Sequence, residues 1–385
     1  MSETPVPIEI PAAISDVNEP EAQIVVAKQW QLIWWKFRRH RLALLGGIIT
    51  ILIYLVAIFA EFLAPFTPDM YASKYTYAPP QPIHIIDYDA SGNIQFAPFV
   101  NGYKVVTDYA AGRRNFVTDP TVKIPIGFFV HGTPYKLIGI FNTDIHLIGP
   151  LNQSDPMYIL GADHLGRDML SRTLYGTRVS VTIGLVGVAI SLFLGILLGG
   201  ISGYFGGWLD ILIQRVIEFL NSIPSIPLWL ALAAAIPADI PPLTVYFLIT
   251  IILSVIGWTG LARVVRGRFY ALKTEDFVKA AQLDGCSPLR IILRHMVPSF
   301  MSHIIAVVTL AIPGMILAET ALSFLGIGLR EPIISWGVLL QEAQNIRAIA
   351  QAPWLFWPGV AVVVTVLSLN FLGDGLRDAA DPYAH

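Results

Sequence analysis

The chain has 385 residues, of which 55% are hydrophobic and 14% charged, with a mean hydropathy of +0.62. That make-up excludes an ordinary soluble globular domain and points to a polytopic membrane protein, for which a net charge of −2 says little, because what matters is the side of the bilayer each charge occupies. One cysteine, Cys286, excludes an internal disulfide; the eight histidines lack zinc-helix spacing and no G-x-x-x-x-G-K-[S/T] occurs, so the chain is expected to hold neither metal nor nucleotide.

Residues 1–27 are polar, acidic and proline-containing and read as a disordered tail; the apolar run that follows is too long for a signal-peptide core, so no cleaved leader is expected. Trp30, Trp34, Trp35, Lys36, Phe37, Arg38, Arg39 and Arg41 form a basic, aromatic collar suited to the inner membrane interface. Residues 42–60 then carry no charge, long enough for a first span running outward.

Residues 65–177 are polar and proline-rich. Strand-like fragments at 83–88 and 94–100 flank the turn signal Asp89-Ala90-Ser91-Gly92-Asn93, and a second pair is expected at 135–141 and 145–148, giving a small external β-rich subdomain. It is either a contact surface for an extracytoplasmic partner or an insertion that packs on its own chain. Asp163, Arg167 and Asp168 invite comparison with a catalytic cluster, but the apolar Met169, Leu170 and Leu174 that follow suit a helix lying along the membrane surface, and catalysis is not expected.

Residues 179–209 are uncharged and carry Gly187, Ser191, Gly195, Gly199, Gly203 and Gly207 at every fourth position. On an α-helix this ladder makes a shallow, slowly precessing groove where another helix can approach to backbone contact. The next span starts near Ile211, holds Arg215 and Glu218 three apart on one face, and continues through Asn221, Ser222, Pro224, Ser225 and Pro227. Polar groups at membrane depth are unfavourable unless they face protein or water, so Glu218, Asn221 and Ser222, with Glu319 further on, are candidate pathway-lining residues; an ion pair that only locks subunits together is the other reading. Residues 237–242 form an outer turn without Lys or Arg, and 243–262 bring the chain back inward.

Residues 263–298 interrupt the apolar pattern with seven positive charges, Arg263, Arg266, Arg268, Lys273, Lys279, Arg290 and Arg294, against Glu275, Asp276 and Asp284. Such a loop stays cytoplasmic. Thr274 is expected to cap a short helix with Glu275 and Asp276 in its first turn, and Gly285 and Pro288 to close it. Ala280 and Ala281 present almost no side chain, so another protein could approach this backbone closely; a basic loop that only fixes topology is the alternative. Residues 299–318 cross outward again and 351–373 form the sixth span.

Ala280-Ala281, Gly285 and Pro298 resemble the cytoplasmic "EAA" loop of binding-protein-dependent ABC importer permeases, with Lys279 where that family has Glu and His295 and Val297 in place of Ile and Leu. The stretch from Leu160 through Arg167-Asp168, Ser171-Arg172 and Tyr175-Gly176-Thr177-Arg178-Val179-Ser180 resembles the signature before the second span of dipeptide, oligopeptide and nickel importer permeases. Leu322-Ser323-Phe324-Leu325-Gly326-Ile327-Gly328, Ser335-Trp336-Gly337 and the ending Gly373-Asp374-Gly375 with Asp381-Pro382 extend the likeness, which omits only the external insertion.

The resemblance implies an all-α polytopic membrane protein of six transmembrane helices, of the type I ABC importer kind, in the "C" permease position, with the β-rich insertion between helices 1 and 2. Its parts would be the tail 1–27, an interfacial segment and first span 28–64, the external region 65–177 and a core permease domain 178–385 containing the coupling loop 263–298. It further implies a short amphipathic helix, 336–344, on the outer surface, and a coupling helix seated in an ATPase cleft, with Lys279, Ala280, Ala281, Gly285 and Arg290 making the contacts. The implied partners are a homologous second permease, two ATPase subunits carrying the ATP and Mg, an extracytoplasmic substrate-binding protein and membrane lipid, but no nucleic acid. The chain would perform no covalent chemistry and would lie in the inner membrane with both termini cytoplasmic. Peptides are the default substrate by resemblance, although relatives also carry nickel, opines or sugars. An ion-coupled secondary transporter or channel is the rival; it favours paired interrupted helices in two halves, and no internal repeat is visible.

Overall fold

In the computed structural model the described residues are 29–88, 93–108, 113–237 and 239–380. The expected N-terminal tail, most of the turn signal at 89–93 and the Asp381-Pro382 ending lie outside them. Helix α1 (Gln29–Arg39) carries the collar and α2 (Arg41–Ile58) the first span; between them His40 caps α2, its Nδ1 accepting from the Ala43 amide at 3.1 Å. A turn, α3 (Ala60–Leu63), ends the span.

The insertion is a four-stranded antiparallel meander of β1 (Ile83–Tyr88), β2 (Ile94–Asp108), β3 (Arg113–Leu137) and β4 (Phe141–Pro150), paired in that order. Both expected fragments of the first hairpin are there, but β2 runs past residue 100, and β3 begins at Arg113, where no strand is expected before residue 135. Pro120, Gly132 and Pro134 read as breakers, whereas the strand tolerates them through register shifts, opposite Asn101 and Gly102 of β2 and between His131 and Tyr135 of β3. Of the strand expected at 135–141, residues 135–137 end β3 and Phe141 opens β4, while 138–140 make the turn between them, where Ile138 and Gly139 have φ of 53° and 73°.

Helix α4 (Met169–Phe205) is 37 residues long and capped by Asp168, whose carboxylate accepts from the Ser171 amide at 2.7 Å. Met169 is buried and opens this helix, so the separate surface-lying helix expected there does not form. Then come α5 (Gly207–Ser222) and α6 (Ser225–Ala234), bent by 86° at the Ile223-Pro224 break, followed by α7 (Pro242–Leu272) and α8 (Asp276–Leu283). Helical turns over residues 288–299, one of them π-helical at Ile291–Met296, lead into α9 (Met301–Phe324). The chain closes with α10 (Trp336–Gln341), α11 (Ile346–Gln351) and α12 (Trp357–Ala380). Among the described residues, α2, α4, α7, α9 and the helix containing α12 are each long and apolar enough to span a membrane, and the bent α5–α6 pair makes the sixth.

Three sequence expectations change here. Arg263 to Leu272 belong to α7, so the inner loop is shorter than 263–298; charges in the last turns of a span look like a loop when only composition is read. Of the six ladder positions, five lie on α4 facing a neighbouring helix and one does not. A Cβ on Gly195 would meet Leu261 at 2.9 Å, one on Gly199 the Ala262 carbonyl oxygen at 2.5 Å and one on Gly203 the Arg266 carbonyl oxygen at 2.8 Å, all on α7. Gly187 faces Met315 of α9, and Ser191 donates to the Ser254 carbonyl at 3.4 Å. Gly207 is no rung: Gly206 (φ 67°) breaks the helix before it, and nothing lies within 4 Å of a Cβ there. Finally, α10 does not lie on a surface. Trp336 is 1% exposed and its indole donates to the Thr173 carbonyl of α4 at 3.2 Å.

Candidate coupling surface and polar networks

Helix α8 hangs below the spans and is held by two side chains three residues apart. Val278 and Ala281 are buried in a cluster with Val265 and Phe269 of α7 and with Ile291, Ile292 and Met296 of the turns that follow. Its C-terminal end is closed by Gly285 at φ 73°, with Cys286 N–H donating to the Ala281 carbonyl and Gly285 N–H to that of Gln282, both at 3.1 Å. Pro288 does not close this helix but begins the next turn. The expected Thr274 cap is absent: its hydroxyl donates backwards to the Ala271 carbonyl at 3.1 Å, and Glu275 holds the flanking position without a side-chain bond.

Of the five residues assigned to coupling, Lys279, Ala280, Gly285 and Arg290 are exposed, whereas Ala281 points inward and anchors the helix. Three exposed apolar residues went unnoticed. Phe277 and Leu289 are exposed and Leu283 is 89% exposed. Phe277, Ala280 and Leu283 recur at threes, which is the helical spacing that could have revealed them. Next to α8, a clasp fixes the start of α5 to α7: Arg266 Nε and Nη2 donate to the two oxygens of Asp210 at 2.5 and 2.6 Å, Tyr270 OH donates to it at 2.9 Å, and Ser202 of α4 donates at 2.5 Å.

The four candidate pathway residues do not converge. Glu218 is exposed and pairs with Arg215 at 2.6 Å on the same helix. Asn221 accepts from Thr259 of α7 at 3.2 Å, and Ser222 donates to the Phe219 carbonyl at 2.7 Å, both close to the break before α6. Glu319, by contrast, is fully buried. Its carboxylate accepts from Ser323 at 2.8 Å and Ser335 at 2.7 Å, with Ser180 of α4 at 3.4 Å, and Ser180 Oγ in turn accepts from the Trp336 amide at 3.0 Å. It therefore knots α4, α9 and α10 together and lines nothing in this conformation.

At the other end of the bundle the signature segment forms an ion-pair network. Asp163 Oδ2 accepts from Arg167 Nε and Arg172 Nη1, both at 2.6 Å; the two arginines also reach Glu331 at 2.8 and 2.7 Å. Asp163 and Arg172 are buried. Burial raises Asp168 to about 6 against the opposing bonds from Ser171, and a hydrogen bond to Glu342 raises His164. Asp163, His164 and Glu342 bring ligand atoms within 4.8 Å of one another beside a cavity of about 870 Å³, but Asp163 also accepts from the Leu165 and Arg167 amides and is compensated by two guanidinium groups. That chemistry joins segments and leaves little for a cation or for proton transfer. Arg178 completes the tie: it pairs with Glu61 and donates to the Ala57 and Ile58 carbonyls at 2.8 and 3.0 Å.

Six apolar helical units, each long enough to cross a membrane when the bent α5–α6 pair is taken as one, define an integral membrane subunit. Residues 195–384 match the model of the binding-protein-dependent transport system inner membrane component, and residues 28–80 that of the N-terminal TM domain of oligopeptide transport permease C. The chain is 39% identical over 242 residues to the oligopeptide transport system permease protein OppC of Haemophilus influenzae, covering 63% of this chain and 75% of that protein. It is 37% identical over 224 residues to the dipeptide transport system permease protein DppC of Bacillus subtilis, covering 58% and 68%. The chain belongs to the family of binding-protein-dependent transport system inner membrane components, and it is a permease subunit.

Proposed function

We propose that this chain forms half of the transmembrane pathway of an ATP-driven importer of peptides, and that α8 is its docking element for an ATPase subunit. The observation that carries this reading is the exposed strip Phe277, Lys279, Ala280 and Leu283 on a helix outside the spans whose opposite face is anchored by Val278 and Ala281. A surface helix that shows Leu and Phe to water calls for a partner. ATP and Mg belong to two such ATPase subunits; a homologous permease supplies the other half of the pathway, and an extracytoplasmic binding protein delivers the substrate. ATP binding draws the ATPases together, α8 transmits that motion, and the two permeases alternate between inward-open and outward-open states. Peptides are favoured as substrate by the oligopeptide and dipeptide permeases to which the chain is similar.

Ala280→Trp is the direct test, since Ala280 is exposed and the larger side chain leaves the fold intact. In reconstituted complex it should lower substrate-stimulated ATP hydrolysis and uptake about tenfold, the effect of about 1.4 kcal/mol lost at the contact. Survival of both activities removes the docking role. We infer from the basic groups of α1 and of the inner loop that both termini are cytoplasmic. A charged, impermeant maleimide should then leave the half-buried Cys286 unlabelled in intact cells and react in inside-out vesicles; labelling of intact cells overturns that orientation.

A further inference from the structure

The β3–β4 hairpin carries an apolar tip. Ile138, Phe141 and Ile140, the last 71% exposed, cluster at its turn, with Phe128 and Phe129 exposed further up β3 and Lys136 exposed beside the turn. The direction in which this tip points follows from its contacts with the end of the first span. Phe66 N–H donates to Ser171 Oγ at 3.1 Å, while Arg178 reaches Ala57, Ile58 and Glu61. Going from Phe66 back to Glu61 therefore descends along α4 from Ser171 to Arg178, about 10 Å towards the membrane interior at the helical rise.

Strand β4 descends in step with it. A Cβ on Gly149 would lie 4.0 Å from the Pro65 carbonyl oxygen, His146 Nδ1 donates to the Ala64 carbonyl at 2.6 Å, and the Phe129 ring sits 6.1 Å from that of Phe62. Tyr135, opposite Thr143, lies within electrostatic reach of Glu61, and Tyr175 within reach of both. The turn is three residues further in the same direction, about 10 Å at the strand rise. It thus reaches at least the level of Arg178, beside the outer end of α2, where Leu55, Ile58 and Phe59 are themselves exposed on the surface a span turns to lipid.

We propose that the β3–β4 hairpin dips its tip, Ile138, Ile140 and Phe141, into the headgroup region of the leaflet at the outer end of the first span, a second and shallow membrane contact for this chain. Lys136 at the neck suits the phosphate level, with its stem along the apolar layer. Lipid is favoured over a protein partner because the tip continues the lipid-facing surface of α2 and descends towards the bilayer. The polar turn backbone finds water and headgroups at this depth, so no span is required.

The test uses the full complex in lipid nanodiscs with Cys286→Ser as background and a polarity-sensitive dye on Ile140→Cys or, as a reference near the far end of β3, on the exposed Val117→Cys. The dye at 140 should show blue-shifted emission and quenching by lipids carrying a nitroxide at the headgroup, and the dye at 117 neither. Emission at 140 matching that at 117, or a blue shift without lipid quenching, overturns the proposal. So does a blue shift that appears only when the extracytoplasmic binding protein is added, which would make the tip a protein-docking site.

Discussion

The two ends of the helix bundle differ in what they leave exposed. At the outer end Asp163, Arg167, Arg172 and Glu331 neutralise one another, Glu319 is enclosed by serine hydroxyls just beneath, and α10 is turned inward over them. At the inner end α8 is anchored by the buried Val278 and Ala281, with Gln282 donating to Tyr204 OH at 3.5 Å, while Phe277, Lys279 and Leu283 face water. Charge at the outer end closes the fold; at the inner end α8 keeps an exposed apolar strip, Phe277 and Leu283, beside the Asp210–Arg266 clasp. Polarity by itself therefore does not single out a surface in this chain, because the most polar clusters are the ones its own side chains neutralise.

The largest effect should come from the closed end. Asp163→Ala leaves Arg172 buried without its main counter-charge, and breaking such a pair from one side is destabilising by about 3–5 kcal/mol. Thermal unfolding of the purified variant should show a large drop or no folded protein; an unchanged midpoint would mean that the network does not hold this end together. A smaller effect is expected inside the bundle. Gly199→Leu drives a side chain into the Ala262 backbone, and overpacking of this kind costs about 1–3 kcal/mol, whereas Gly260→Ala, with open space around its Cβ, should be neutral or slightly stabilising. Equal yields and equal midpoints for the two variants would remove the close α4–α7 packing as a source of stability.

The same contrast explains what could be read from the sequence. A four-residue glycine period depends only on helix geometry, so the packing face of α4 was legible up to the point where Gly206 breaks the helix and takes Gly207 off it. The six spans were legible because length and hydropathy are local properties. Glu319 was assigned to a pathway because a carboxylate at membrane depth reads the same whether it faces water or three serines from separate segments; only the fold brings Ser180 and Ser335 to it. Likewise Asp210 and Arg266, 56 residues apart, gave no sign of their clasp. Ala281 was placed with Ala280 on the docking face, yet adjacent residues on a helix point about 100° apart, and one of the two had to turn inward.

At the open end the expected stability effects are near zero and the functional ones are not. Leu283→Ser removes an exposed side chain, so unfolding should stay within about 0.5 kcal/mol of the parent. Substrate-stimulated ATP hydrolysis by the reconstituted complex should nevertheless fall. A variant that is destabilised but still coupled would reverse the contrast between the two ends.

The smallest effect is a pH dependence at the edge of the closed end. His164 Nδ1 lies 3.0 Å from Glu342, whose other oxygen accepts from the His164 amide at 3.1 Å, and the contact joins the signature segment to the residues after α10. The Glu342 bond raises the imidazole above its usual range, with partial burial and Arg167 opposing. A raised folded value means that the added stability is fully present below the unfolded value of 6.5 and is lost as pH rises through the folded one. Because the ring is 44% exposed, solvent screening keeps the gain small. Midpoints of the parent measured from about pH 5.5 to about pH 8 should therefore fall relative to those of His164→Gln, which keeps a donor but cannot titrate. Parallel curves would show that Glu342 is held by the His164 amide and not by the charged ring.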